Sequence, residues 1–258
     1  MKKVVQELAN LTPGRVWAAL RRPAMLPVQI NAPGMSTLSD VVRTVYPDIS
    51  LQQIETCRLE LLNNHAFFEQ INDRMVARRH CRTDCGRWGE LIYVLTRFGK
   101  PEIIVETGVF DGQSSAVFLQ ALRDNGKGTL ISIDLPATEA IEFSTDLMPE
   151  TTLPPGCQPG WIIPDYLRDR HQLMFGDSKQ LLPQVLEANP KIDFFLHDSL
   201  HTLEHQLFEY DAAWPHIVAG GLLLSDDIFW NPAFHRFCKM QGRHYQHHCN
   251  LGICHKIK

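Results

Sequence analysis

Residues 101–124 read PEIIVETGVFDGQSSAVFLQALRD and contain a short apolar run, a turn with two glycines and an amphipathic segment. The run IIV is typical of a strand buried on both faces, and QSSAVFLQALRD has the apolar spacing of a helix. Gly108 and Gly112 allow a ligand to approach the backbone, and the free N–H groups at the start of the helix favour an anion. The stretch therefore predicts a strand–turn–helix unit that binds a ligand where the strand ends.

The same alternation of strand and helix continues along the chain. TLISIDL, HQLMFGD, IDFFLHD and GGLLLSDDI have strand character, and RWGELIYVLTRF, KQLLPQVLEAN, LEHQLFEYDAAW and AFHRFCKMQ have helical character. Alternating elements predict an α/β fold with a doubly wound, mostly parallel sheet. The last segment, HYQHHCNLGICHKIK, predicts a C-terminal antiparallel hairpin around residues 250–252. Pro183 is expected within the first turn of its helix, because proline lacks an N–H group.

Residues 1–85 have no clear strand pattern. LSDVVRTVY and LQQIETCRLELLNNHAFFEQINDRMVARR have helical spacing, so we expect a mostly helical extension before a ligand-binding domain at 86–258. The proline-rich segment 136–170 interrupts the later alternation, yet Trp161 and Tyr166 make it too apolar for a free linker. Long loops of this kind are commonly functional, which predicts a lid or a wall of the substrate site.

Composition excludes several classes of protein. The chain has 258 residues and a formal net charge of −4, so nothing global points to nucleic acid or an anionic membrane as a partner. It contains no apolar stretch near the roughly 20 residues that span a bilayer, and its start is a poor signal peptide. The seven cysteines have no standard zinc spacing and are expected to be free thiols. These features predict a cytoplasmic protein.

Each segment predicted to form a parallel strand ends in a carboxylate. Ligands of open α/β sheets bind outside the carboxyl ends of the strands, so these side chains are expected at one rim. Asp111 or Asp177 alone would be explained as a turn residue or a helix cap. Crowding the whole set together costs energy unless a cation or hydrogen-bond donors offset the like charges. The set comprises Glu106, Asp111, Asp134, Asp177, Asp198, Asp226 and Asp227.

The first turn differs from the dinucleotide-binding pattern G-x-G-x-x-G. Glu106 stands where the first glycine would be, and no third glycine follows at the required position. An acid there disfavours a pyrophosphate and suits a ligand with a positively charged amino group. Asp134, after the second strand, is placed to accept hydrogen bonds from ribose hydroxyls.

Together these segments resemble the class I S-adenosylmethionine-dependent methyltransferases, from about Trp88 to the C-terminus. VETGVFDGQSS, ISID and FGDS are similar, in order and spacing, to three cofactor-binding segments of that family. The resemblance implies a Rossmann-like methyltransferase fold with S-adenosylmethionine as the cofactor. The residues that it assigns to cofactor binding are Glu106, Gly108, Asp111, Ser114, Asp134, Asp177 and Ser178.

Within the superfamily, IDFFLHDSLHTLEH and WPHIVAGGLLLSDDI resemble the branch of macrocin-type sugar O-methyltransferases and cephalosporin-hydroxylase-like proteins. That branch usually reads I-D-G-D-H where this chain reads HDSLH, so Asp198 and His201 keep their places while Ser199 and Leu200 depart. The resemblance implies O-methylation of a hydroxyl on a sugar or other small molecule.

The resemblance further implies a divalent metal held by Asp198, Asp226 and Asp227, with His201 as the general base and Asp198 also in the catalytic group. Physical chemistry agrees, because three carboxylates suit Mg²⁺ and a bound metal lowers the pKa of a hydroxyl. A histidine three residues beyond a metal ligand can accept the proton near neutral pH.

Other functions remain open at this point. A metal-independent methyltransferase would use Asp198 only for the cofactor, a nicotinamide-dependent oxidoreductase is disfavoured by Glu106, and a non-catalytic binding module would have kept the pocket alone. The N-terminal helices are a candidate surface for a homo-oligomer. Among the other histidines, His197 is expected in packing or a cofactor contact and His205 at the surface. A solvated edge is expected for His244, His247, His248 and His255.

Overall fold

The computed structural model describes residues 33–135 and 152–257, and within these ranges seven strands form one sheet. Predictions for residues 1–32 and 136–151 lie outside the described residues. The strands are β1 (Ile103–Thr107), β2 (Thr129–Asp134), β3 (His171–Phe175), β4 (Ile192–His197), β5 (Ile217–Ser225), β6 (Gln246–His248) and β7 (Leu251–His255).

The sheet has the strand order β3-β2-β1-β4-β5-β7-β6. β1 pairs in parallel with β2 and β4, and β5 pairs in parallel with β4, while β7 runs antiparallel to β5 and β6. The chain thus winds outward in both directions from β1, and the strand order reverses between β1 and β4. The prediction of a doubly wound, mostly parallel sheet with a C-terminal antiparallel hairpin is confirmed. A ligand crevice is expected at that reversal.

Helices follow the predicted segments with two differences. The first difference is a break at Asn63 and Asn64, where Asn64 accepts a hydrogen bond from the N–H of Phe67 (3.1 Å) and so starts a new helix. The helices are α1 (Leu38–Val45), α2 (Leu51–Leu62), α3 (His65–Arg79), α4 (Gly86–Gly99), α5 (Gln113–Asn125), α6 (Ser178–Ala188), α7 (Leu203–Ala213) and α8 (Ala233–Met240).

The second difference concerns Pro183, whose predicted place in the first turn is wrong. α6 begins at Ser178 and continues through Pro183 to Ala188. The proline removes the hydrogen bond to the carbonyl of Lys179, but both residues lie on the exposed side of the helix. Water can therefore replace the missing bond, which explains why the helix is not ended there.

Two hydrophobic clusters cover the two faces of the sheet. Neighbouring residues of β1 alternate between them, with Ile104 in one cluster and Val105 in the other. α4 and α5 contribute to the first cluster, and α6, α7 and α8 contribute to the second. Burial on both faces explains why the strands are continuous apolar runs.

The N-terminal helices pack onto the first of these clusters. Val42 of α1, Ile54 of α2 and Phe67 of α3 are buried there with residues of the sheet. The described part of the extension therefore shares its core with the α/β unit, and the domain boundary at residue 85 stays a prediction. None of the described helices is long and apolar enough to cross a membrane.

Residues 152–170, the described part of the long proline-rich segment, form a packed wall. Ile162 and Ile163 are fully buried, and a 3₁₀ helix covers Asp165–Arg170. Arg74 of α3 donates to the carbonyl of Ile163 (2.7 Å), so the wall is tied to the N-terminal helices.

Candidate active site

The turn after β1 requires its glycines. Gly108 has φ 82°, and a Cβ there would overlap the backbone carbonyl of Asp198. Gly112 has φ 98°, and its added Cβ would lie 2.7 Å from Cα of Gly160. The loops after β1 and β4 therefore meet backbone to backbone, which brings the predicted cofactor loop beside the predicted catalytic loop.

Glu106, near the end of β1, is a fully buried carboxyl surrounded by serines. It accepts hydrogen bonds from Ser115, from Ser132 (2.7 Å) and from Ser114 (3.3 Å). Burial raises its pKa to about 7, although these hydroxyls favour the ionised form and limit the shift. Glu106 and Ser114, both predicted to bind the cofactor, thus contact each other at the strand end.

Asp134, the last residue of β2, binds the loop after β1. Its Oδ2 accepts the N–H groups of Val109 (2.6 Å) and Phe110 (2.9 Å). Burial raises the pKa of Asp134, while these two hydrogen bonds counteract the rise. Both bonds use Oδ2, so Oδ1 is the oxygen that would accept from a ribose.

Asp111 forms contacts within the protein that the sequence did not indicate. Arg79 of α3 binds both of its oxygens, with Nε 2.5 Å from Oδ2 and Nη2 2.7 Å from Oδ1. Trp161 Nε1 donates to Oδ1 at 2.7 Å. The carboxylate therefore ties the loop after β1 to the N-terminal helices and to the proline-rich wall, and its predicted contact with the cofactor stays a prediction.

Asp177 and Ser178 differ in what they contact. Asp177 caps α6 by accepting the N–H of Lys179 (2.8 Å), as expected of an aspartate before a helix. Ser178 is buried, and its hydroxyl lies 3.0 Å from Nε2 of His205. Their predicted cofactor contacts stay predictions.

Asp198 and Asp226, after β4 and β5, form a pair of carboxyl groups, each of which shifts the pKa of the other. Burial and then the charges of Asp226, Asp227 and Glu106 raise the pKa of Asp198 well above its usual range. Its side chain keeps 36% of its surface exposed, so water moderates the repulsion. Burial also raises the pKa of Asp226. Such a pair needs a shared proton or a bound cation.

Asp227, the third predicted metal ligand, differs from this pair in its backbone conformation and its contacts. Asp227 has φ 49°, and its Oδ1 accepts from the side chain of Asn250 (3.1 Å). Within residues 33–135 and 152–257, no group of three histidine, cysteine, aspartate or glutamate side chains is arranged to hold a metal ion. The carboxyl pair by itself fits a cation such as Mg²⁺, which is commonly bound by one or two carboxylates and water.

His201 lies in the loop before α7, so it is not part of a helical turn as its spacing from Asp198 indicated. Its Nε2 is 3.8 Å from Oδ1 of Asp198 and, among the described residues, is buried without a hydrogen-bond partner. Burial and the neighbouring His197 lower the pKa of His201 to about 4. The imidazole is therefore neutral at pH 7 and has a lone pair available.

Behind this loop lies a buried polar cluster that sequence reasoning missed. Glu209 of α7 contacts His197 (2.6 Å) and His205 (2.8 Å) and has no exposed surface. The predicted surface position of His205 is wrong, because its imidazole turns inward to Glu209. The spacing of His205 and Glu209, four residues apart on a helix, was the available signal.

The solvated edge predicted for the C-terminal histidines is wrong for two of them. His247 and His248 are buried, which contradicts the predicted solvated edge, whereas His244 is exposed. His247 Nε2 lies 2.8 Å from the carbonyl of Pro33, and His248 Nδ1 lies 2.9 Å from that of Ser36. These contacts attach the start of the described chain to the hairpin.

Exposed apolar side chains lie in the loops after β4 and β5, and the sequence analysis did not predict them. Leu200, Phe229 and Trp230 follow β4 and β5 and expose 50%, 42% and 47% of their surface. The ring of Trp230 lies 5.4 Å from that of His201. Asn231 links the two loops by donating to the carbonyl of His201 (3.0 Å).

Comparison with known proteins agrees with this arrangement. Residues 105–228 match a family model described as a methyltransferase domain, and this range includes every predicted site residue. This part of the chain is a methyltransferase domain, in agreement with the resemblance to the class I S-adenosylmethionine-dependent methyltransferases. S-adenosylmethionine is the cofactor that the resemblance implies.

Solved structures similar to this methyltransferase share its fold. The O-methyltransferase TomG from Streptomyces achromogenes, involved in tomaymycin synthesis and solved with S-adenosylmethionine, has 15% identity and a TM-score of 0.53; the match covers 77% of this chain and 92% of TomG. A candidate O-methyltransferase from Klebsiella pneumoniae has 14% identity and a TM-score of 0.50, with 85% and 96% covered. At such identities the likeness supports the fold alone. A search of curated proteins finds no match to this methyltransferase.

Proposed function

We propose that this methyltransferase methylates a hydroxyl oxygen of a small molecule, with His201 accepting the hydroxyl proton. The observation that carries the proposal is the buried Nε2 of His201, which has no hydrogen-bond partner among the described residues and lies 3.8 Å from Asp198. Because the pKa of His201 is lowered to about 4, the ring is in its proton-accepting form at neutral pH.

The residues around His201 have complementary tasks. When bound, the cofactor supplies a methyl group on a positively charged sulfonium. The carboxyls of Glu106 and Asp198 favour that charge, and Asp134 is the acceptor for the ribose hydroxyls. Attack on a methyl group requires mainly alignment, so the chain acts by holding the acceptor oxygen in line near His201.

Metal assistance is part of the proposal, with a metal-independent reaction as the alternative. Asp198 and Asp226, with Asp227 nearby, would hold Mg²⁺, which would lower the pKa of an acceptor hydroxyl. The paired, raised pKa values of Asp198 and Asp226 favour a cation between them. The metal-independent reaction is favoured because, in the described ranges, no three histidine, cysteine, aspartate or glutamate side chains are arranged to hold a metal ion.

The acceptor is proposed to carry its hydroxyl on an apolar body. Leu200 and Trp230 are exposed beside His201, Phe229 is exposed next to Trp230 in the chain, and apolar side chains commonly line the pockets of small-molecule ligands. The family resemblance instead implied a sugar as one possible acceptor. The carboxylates of Asp198, Asp226 and Asp227 disfavour an anionic acceptor, whether its body is apolar or a sugar.

The test measures formation of S-adenosylhomocysteine with panels of phenolic and sugar acceptors. His201→Ala is expected to lower turnover by about 10²–10⁴-fold while cofactor affinity stays unchanged. His244→Ala, which replaces an exposed histidine, serves as the matched control. Full activity of His201→Ala would refute its role as the base, and full activity after treatment with EDTA would leave the metal-independent reaction.

A further inference from the structure

Glu209 is a carboxylate beside this site that has no exposed surface. Its Oε2 accepts from Thr107 Oγ1 (2.5 Å) and lies 2.6 Å from His197 Nδ1. Its Oε1 accepts from Ser199 Oγ (2.9 Å) and lies 2.8 Å from His205 Nε2. Burial opposes ionisation, but the hydrogen bonds from His197 and His205 outweigh it and hold the pKa of Glu209 below its usual range.

The donors to Glu209 come from the ends of separate elements. Thr107 is the last residue of β1 and precedes Gly108, while His197 is the last residue of β4 and precedes Asp198. Ser199 follows Asp198 directly. Glu209 therefore connects the loop after β1 with the loop after β4. The two loops are also joined directly, because the N–H of Asp198 donates to the carbonyl of Thr107 (2.8 Å).

These bonds also fix the orientation of His197. A carboxylate accepts hydrogen bonds only, so Nδ1 of His197 must carry its hydrogen toward Glu209. The ring so oriented packs edge to face against His201, with 5.2 Å between centroids. A chain of contacts thus runs from Glu209 through His197 to the proposed base, and a parallel one runs through Ser199 to Asp198.

Burying a carboxylate in a protein core costs free energy, because the charge loses its contact with water. Well-packed apolar residues at such a position are frequently as stable or more stable than the charged group. Hydrogen bonds, unlike apolar contacts, depend strongly on direction, so four of them can define where the two loops lie. The arrangement is therefore better explained by the geometry of the site than by stability alone.

We propose that Glu209 is a positioning residue for methyl transfer: through His197 and Ser199 it holds His201 and Asp198 in reacting geometry without touching cofactor or acceptor. This inference rests on the proposed function, in which His201 and Asp198 act on the acceptor. It predicts a loss of turnover that exceeds any loss of cofactor binding, because the groups displaced are those that handle the acceptor.

The experiment uses the full chain and compares Glu209→Gln and Glu209→Asp with the wild type. Glutamine keeps the size but turns an N–H group toward existing donors, while aspartate keeps the charge but is one methylene shorter. Both are expected to lower kcat by about 10²-fold, as misplacement of catalytic groups does, with the cofactor Kd and the KM changed far less. Glu204→Gln on the same helix, whose side chain is 88% exposed, is the control and should match the wild type.

A milder variant covers the case in which Glu209 variants do not fold. Ser199→Ala removes one of the four hydrogen bonds at a half-buried position and is expected to lower kcat several-fold at an unchanged thermal midpoint. A lowered thermal midpoint with unchanged kcat in the Glu209 variants would overturn the proposal, since Glu209 would then serve the core alone. Full activity of Glu209→Asp would likewise overturn it in favour of a purely electrostatic role.

A readout that needs no turnover separates this proposal from the proposed function. Imidazole NMR signals of His197 and His201 should both shift in Glu209→Gln and neither should shift in Glu204→Gln. If the wild type transfers no methyl group to hydroxyl acceptors, the proposed function fails, while shifted His201 signals would still support the positioning contact. Unshifted His201 signals would overturn the positioning contact whatever the acceptor.

Discussion

Arg79, the last residue of α3, binds both carboxylate oxygens of Asp111 in the loop after β1, at 2.5 and 2.7 Å. Its guanidinium also lies 4.7 Å from the ring centroid of Phe110 and donates to the carbonyl of Thr152 (3.0 Å). The N-terminal helices therefore help to fix the loop after β1, which is predicted to bind the cofactor, although they lie outside the matched methyltransferase domain.

Arg79→Ala is expected to weaken both the fold and cofactor binding. Removing one partner from a buried ion pair costs about 3–5 kcal/mol, and Asp111 retains only 4% of its side-chain exposure. Chemical denaturation and calorimetry with S-adenosylhomocysteine measure the two effects. The exposed neighbour Arg78→Ala is the control, and equal results for the two variants would contradict the coupling.

Asp134→Ala is expected to weaken cofactor affinity. The change removes the proposed ribose acceptor and also releases the N–H groups of Val109 and Phe110 that shape the cofactor loop. Hydrogen bonds to a charged group contribute about 1.5–3 kcal/mol, or about ten-fold to 150-fold in Kd. Calorimetry against the exposed control Asp169→Ala tests this, and an unchanged Kd would remove Asp134 from the cofactor site.

Glu106→Gln should change how stability depends on pH. The pKa of Glu106 is raised from 4.5 to about 7, so the folded protein holds this proton more tightly than the unfolded chain does. Its contribution to stability is complete below pH 4.5 and is lost as pH rises through 7, by about 3 kcal/mol in total.

Urea denaturation at pH 5 and pH 8 measures this effect. The wild type should lose more stability than Glu106→Gln over that interval, because glutamine does not ionise. Glu102→Gln, at an exposed position, should follow the wild type. Parallel pH dependence in the wild type and Glu106→Gln would argue against a raised pKa.

Mg²⁺ is expected to raise the thermal midpoint of the wild type and not that of Asp198→Asn. A ligand at about 100 times its Kd stabilises the folded state by about 2.7 kcal/mol. Asp211→Asn, an exposed change on α7, should respond like the wild type. The metal-independent alternative would be supported if Mg²⁺ left the thermal midpoint of the wild type unchanged and EDTA left its activity unchanged.

Trp230→Ala is expected to raise the KM for an apolar acceptor by about ten-fold or more, with the cofactor Kd unchanged. Truncating a large aromatic side chain removes an apolar contact of about 1.5–3 kcal/mol. Met240→Ala, which is 72% exposed on α8, is the control. An effect confined to sugar acceptors would contradict the proposed apolar acceptor.

The alternation of apolar strands and amphipathic helices was sufficient to predict the doubly wound sheet. Strands buried on both faces are continuous apolar runs, and this local property can be read without knowledge of the contacts. The convergence of carboxylates also followed, since parallel strands end at one edge. Within the predicted set, Asp198 and Asp226 influence each other's pKa after β4 and β5.

What each carboxylate contacts was decided only by the tertiary structure. Arg79 lies 32 residues from Asp111 along the chain, and Thr107 lies 102 residues from Glu209, so no local pattern connects either pair. His201 and His205 both follow β4, yet the first lies beside Asp198 at the rim while the second turns inward to Glu209. The sequence by itself determined which chemical groups reach the rim of the sheet. Folding alone determined which of them bind protein partners, because a buried charge is stabilised by whichever donors the distant segments bring to it.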